Sequence, residues 1–88
     1  MPFEFARLQM LRQLWRAMAE ECEAGVDTLE RRRARADVAS DELARRYPRA
    51  FARWQRAYVA ELEERGLARE ASRERDRAWQ RERRLASS

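Results

Sequence analysis

Four residues punctuate this sequence and they stand far apart: Pro2, Gly25, Pro48 and Gly66 are its whole complement of proline and glycine. A β-protein needs turn residues at short intervals, and this chain does not have them. Ala, Leu, Arg and Glu dominate, and charged residues make up 41 % of the total, the composition of solvated helices. The expected fold is all-α: a small bundle of three to four helices built on an antiparallel hairpin, with an extended charged helix at the C-terminus. Eighty-eight residues make one small domain. It reads as a helical core over 1–66, followed by an Arg/Glu-rich helix over 67–88 that docks on the core or stands partly solvated.

The periodicity supports this division. Leu8, Leu11, Trp15, Met18 and Cys22 recur at spacings of three and four, a helical stripe, and Met10, Leu14 and Ala17 widen it. Gly25 offers a left-handed stop. Asp27 with Glu30 resembles a capping box, which predicts a second helix from about Thr28. That helix is apolar mainly at Leu29, Ala36, Leu43 and Ala44. Its run over 36–42 has room for a kink or a short loop, with Ser40 or Asp41 as a new cap.

Pro48 disfavours helical geometry at Tyr47 and predicts a turn there. In the third helix, successive residues advance by about 100°. Phe51, Trp54, Tyr58 and Leu62 therefore share one face, and Arg49, Arg53 and Arg56 share the opposite one. Arg65-Gly66-Leu67 reads as a helix end. Beyond it the helix propensity is high, but alanines, Trp79 and Leu85 are too few to define a buried face.

Every positive charge is one of 20 arginines, and Lys, His, Ile and Asn are absent. Missing Lys, Ile and Asn point to a GC-rich genome of bacterial or phage type, so codon bias accounts for part of the arginine count. The net charge of +4 is uneven: residues 1–29 carry three Arg against five acids, 30–56 nine against four, and 57–88 eight against seven.

Catalysis is not expected. There is no histidine for a base and no lysine for a Schiff base, and no Gly-rich phosphate loop. Cys22, the single cysteine, reads as a buried, inert thiol on the apolar stripe, with Glu20, Glu21 and Glu23 disfavouring its thiolate. No catalytic residue, metal ligand, cofactor or small-molecule substrate is assigned. Phe3, Phe5 and Trp15 beside Arg7, Arg12 and Arg16 would suit a membrane surface. Glu4 and the acidic cluster after Met18 oppose an anionic bilayer, so a membrane is not the expected partner. A cytoplasmic address is expected.

The segment 41–58, "DELARRYPRAFARWQRAY", resembles a helix-turn-helix in outline, with "ELARRY" as first helix and "RAFARWQRAY" as recognition helix. It departs from that pattern at Pro48, where a glycine is usual, at Arg49, where an apolar residue is expected, and at Trp54, which is bulky for its place. The resemblance covers about a fifth of the chain and implies DNA or RNA as partner. The residues that would meet phosphate or an acidic partner are Arg31, Arg32, Arg33, Arg45, Arg46, Arg49, Arg53 and Arg56.

A protein-interaction reading explains more of the residues. The first helix carries more apolar surface than the second can cover, and aromatics with arginine are enriched at interface centres. The residues expected to form an interface or core are Leu8, Leu11, Leu14, Trp15, Met18, Phe51, Trp54, Tyr58 and Leu62. Within the core, Phe51, Trp54 and Tyr58 are expected to pack on Leu11, Trp15 and Met18. The favoured function is a non-catalytic accessory or adaptor protein that self-associates or docks on a protein partner. The alternative is a small basic nucleic-acid-binding protein.

Overall fold

The computed structural model describes residues 2–87. Among them lie four α-helices and no strand: α1 (Phe3–Ala24), α2 (Leu29–Arg46), α3 (Pro48–Glu64) and α4 (Ala68–Ser87). The chain forms two compact units divided between Arg46 and Tyr47, one pairing α1 with α2 and the other pairing α3 with α4. The sequence had suggested a boundary after residue 66. The structure instead gives α4 a full packing role against α3.

Each hairpin turns on a glycine. At Gly25, φ is 74°, and its N–H donates to the Cys22 carbonyl while Val26 N–H donates to that of Glu21. At Gly66, φ is 77°, with Gly66 N–H donating to the Glu63 carbonyl and Leu67 N–H to that of Leu62. These are two copies of one helix-ending motif, in which the left-handed residue satisfies carbonyls that the helix leaves over. Nothing lies within 4 Å of where a Cβ would stand at either glycine, so backbone conformation alone demands them.

The cap of α2 differs from the expected one. Thr28 Oγ1 accepts the Arg31 N–H at 3.1 Å, whereas Asp27 is engaged by Arg32 through two hydrogen bonds. A guanidinium neighbour draws Asp27 away, and the adjacent hydroxyl caps the helix. Helix α2 runs unbroken through Ser40 and Asp41, with no loop or new cap there. Only Tyr47 separates α2 from α3, at φ −136° and ψ 63°, and Pro48 follows in the first turn, where its missing N–H costs nothing.

The buried apolar residues are Ala6, Leu43, Ala44, Phe51, Leu62 and Ala71, and no large side chain falls below 2 % exposure. Burying Phe51 and Leu62 contributes about 1.5–3 kcal/mol each. Half of this core is alanine, so the helices gain little from apolar burial and lean on polar contacts between them.

Candidate docking faces and the arginine row

In the first hairpin the inner side of α1 is Ala6, Met10, Leu14, Ala17 and Glu21. Ala6 and Glu21 are buried, and Met10, Leu14 and Ala17 line an open groove with Ala34, Val38 and Ala39 of α2. Glu21 ties the helices together, since one carboxylate oxygen accepts from Arg35 Nε at 2.9 Å and lies 3.5 Å from Arg31 Nε. Its other oxygen is buried and has no partner among the described residues.

The stripe that dominates α1 in the sequence points elsewhere. Leu8 is 52 % exposed, Leu11 38 % and Trp15 65 %. At 100° per residue they lie within an arc of about 60°, roughly a third of a turn from the side that meets α2. Phe5 borders the ridge and is also exposed. Cys22 continues it, exposed rather than buried as the sequence suggested. Met18 is half-buried and, with Leu14 and Trp15, lines a second groove that ends at Glu21, Arg32 and Arg35.

A polar cluster closes this end of the hairpin. Cys22 Sγ donates to Asp27 Oδ2 at 3.2 Å, and Arg32 Nε donates to Asp27 Oδ1 at 2.8 Å. The Arg32 hydrogen bond holds the Asp27 carboxyl below its ordinary value. The hydrogen bond to Asp27 pushes the Cys22 thiol up, helped by desolvation and by the nearby negative charge. A thiol that is harder to ionise is a poorer nucleophile. Among the described residues no three of Cys, Asp and Glu gather as metal ligands.

In the second hairpin, Phe51, Gln55 and Leu62 are the buried side of α3. Trp54 and Tyr58 are half-buried beside them and stack on each other, with ring centroids 5.5 Å apart at 11°. Phe51 meets Trp54 at 5.6 Å and 48°. Within this hairpin, Arg81 of α4 lies over the Phe51 ring.

Helix α4 has a buried side after all. Ala71, Glu74, Ala78, Arg81 and Leu85 repeat at three and four; Ala71 and Arg81 are buried, and the other three are half-buried. Gln55 joins both ends of the contact, donating to the Glu74 carbonyl and accepting from Arg81 Nη1, each at 3.4 Å. Nearer the turn, Arg75 bridges to Glu63. The spacing was visible in the sequence, but a stripe of alanines broken by a glutamate and an arginine does not read as core. Trp79, 57 % exposed, borders an open groove between α4 and α3 that Ala52 and Val59 also line, with Arg83 4.7 Å above its ring.

The arginines divide by partner. Arg31 and Arg32 pair with Glu21 and Asp27, and Arg46 lies beside Glu42, so these three already have acidic neighbours. Arg33, Arg45, Arg49, Arg53 and Arg56 are exposed and have no ion-pair partner among the described residues. Three of them, Arg49, Arg53 and Arg56, form a row on the outer face of α3. Exposed Glu64 continues that face, while Glu63 is held by Arg75. The segment that resembles a helix-turn-helix has one non-helical residue, Tyr47, where that motif uses three or four.

Among the described residues no helix is long and apolar enough to cross a membrane. Comparison with protein-family models, with characterised proteins and with solved structures finds no match for this chain.

Proposed function

We propose that this chain is a non-catalytic helical docking module, an accessory or adaptor protein that acts by seating another polypeptide on its apolar faces. The exposed ridge of Leu8, Leu11 and Trp15 carries this reading. Isolated surface leucines need no explanation, but a tryptophan and two leucines in one helical line form the kind of patch that marks an interaction site. Trp79, exposed on α4, offers a second aromatic contact. The thin core adds support, since small helical units with little apolar burial gain stability by association. One unpaired cysteine suits a cytoplasmic setting.

A second reading has its own observation. Arg49, Arg53 and Arg56 stand in a row without acidic partners, and such a row suits phosphate. Three contacts give a salt slope of only about −2.7 in log K against log salt, the strength of a non-specific contact.

One comparison separates the two. Wild type, Trp15→Glu, Trp79→Glu and the triple Arg49→Gln, Arg53→Gln, Arg56→Gln variant are tested for polypeptide association and for binding to a labelled duplex of about 30 base pairs, at low and at physiological salt. The docking reading expects association that the tryptophan variants weaken, with no duplex bound at physiological salt. Duplex binding that persists at that salt and vanishes in the triple variant would replace it with the second reading.

A further inference from the structure

The docking reading leaves the occupant of the α1 ridge unnamed. We infer that it is a second copy of this chain, with α1 packed on α1 in antiparallel orientation about a twofold axis. The inference rests on the docking reading and adds the identity of the partner.

Two observations carry it. The first is area. Phe5, Leu8, Leu11 and Trp15, at 52, 52, 38 and 65 % exposure, present on the order of 400 Å² of apolar surface. Doubled across a twofold axis and completed by a polar rim in ordinary proportion, this approaches the roughly 1,600 Å² of a standard stable interface. A ridge that meets its own copy needs no other complementary surface.

The second observation is charge. Glu4 and Arg16 stand at opposite ends of the ridge, and both are exposed. A parallel pairing sets each charge beside its own copy. An antiparallel pairing centred on the ridge sets Phe5 level with Trp15 and Leu8 with Leu11 of the other copy, which brings Glu4 towards Arg16 of the other copy, and it also opposes the two helix dipoles.

Cys22 provides a probe that needs no mutation, because it is exposed, unique and on the ridge. The full chain is examined by sedimentation across a concentration range, and by dipolar spectroscopy of a nitroxide on Cys22. The expected result is a dimer with a single label separation of roughly 35–40 Å, since Cys22 lies about 12 residues from the centre of the ridge on each helix at a rise of 1.5 Å per residue. Trp15→Glu is expected to give a monomer with unchanged helical circular dichroism, and Trp15→Phe to remain dimeric.

A label separation near 10 Å, expected for parallel helices side by side, would overturn the arrangement. A dimer that survives Trp15→Glu but dissociates in Trp79→Glu would overturn the inference and leave the docking reading standing on the other hairpin. A wild-type monomer at all concentrations would overturn self-pairing. The docking reading fails as well only if that monomer also binds no other polypeptide through either tryptophan. If Trp15→Glu unfolds, the wild-type sedimentation and the Cys22 separation still decide.

Discussion

The guanidinium carbon of Arg81 sits 5.1 Å from the centre of the Phe51 ring, so the most buried charge of α4 rests on the aromatic that anchors α3. Arg81 is only 5 % exposed, and its aliphatic stem fills space that a shorter residue would leave empty. Arg81→Ala removes the ring contact and this packing together. The expected loss is about 2 kcal/mol, read from urea unfolding followed by far-ultraviolet circular dichroism. A loss below about 0.5 kcal/mol, the range of ordinary surface substitutions, would show that Arg81 does not hold the hairpin.

Phe51→Ala acts on the same contact from the other side. Truncating a buried phenylalanine costs about 3–5 kcal/mol, comparable to the whole stability of a small helical unit. The α3–α4 hairpin should therefore lose its tertiary structure, and Trp54, which packs on Phe51, should change its near-ultraviolet circular dichroism. An unaltered near-ultraviolet spectrum would contradict the packing described.

Gly66→Ala isolates a backbone effect, since the added methyl meets nothing and φ is 77°. The expected cost is about 1 kcal/mol, with D-alanine at the same position restoring stability or exceeding it. If both enantiomers behaved alike, the left-handed conformation would not be what ends α3.

The Cys22–Asp27–Arg32 cluster predicts limits to stability at both ends of the pH scale. Asp27 has its folded pKa lowered below its ordinary 3.8 by the Arg32 hydrogen bond, so its contribution is complete above that value and is lost as pH falls through the folded pKa. Cys22 is raised above its ordinary 9.0, first by the hydrogen bond to Asp27. Its contribution is complete below 9.0 and is lost as pH rises through the folded value. Thermal melts should therefore show Asp27→Asn flattening the acid limb and Cys22→Ser flattening the alkaline one. An alkaline limb unchanged in Cys22→Ser would place its origin elsewhere.

Parts of this architecture were legible in the sequence and parts were not. The all-α class, the breaks at Gly25, Pro48 and Gly66, and the opposed aromatic and arginine faces of α3 followed from local chemistry and helical period. The direction of the α1 ridge did not, because a stripe of Leu8, Leu11 and Trp15 announces an apolar face without saying what covers it. The inner side of α1 proved to be the blander line of Ala6, Met10, Leu14 and Ala17.

The α4 contact was hidden for another reason. Arg81 and Glu74 count as solvent residues in any composition argument, yet Gln55 and Phe51 give them interior neighbours. For the arginines, sequence proximity could not reveal that Glu21 would engage Arg35 from fourteen positions away. Only folding separates those with acidic neighbours from the row on α3.

The single non-helical residue at Tyr47 also bears on how the chain comes to be folded. Within each hairpin the interactions are local, and the widest side-chain pairing described joins Phe51 to Arg81 across 30 positions. Low contact order of this kind goes with folding in microseconds to milliseconds. Synthesis adds about 5–20 residues each second, so the first hairpin can assemble before much of the second has left the ribosome. Its ridge would then face solvent while neighbouring nascent chains of the same message stand close by, a setting in which identical partners meet early.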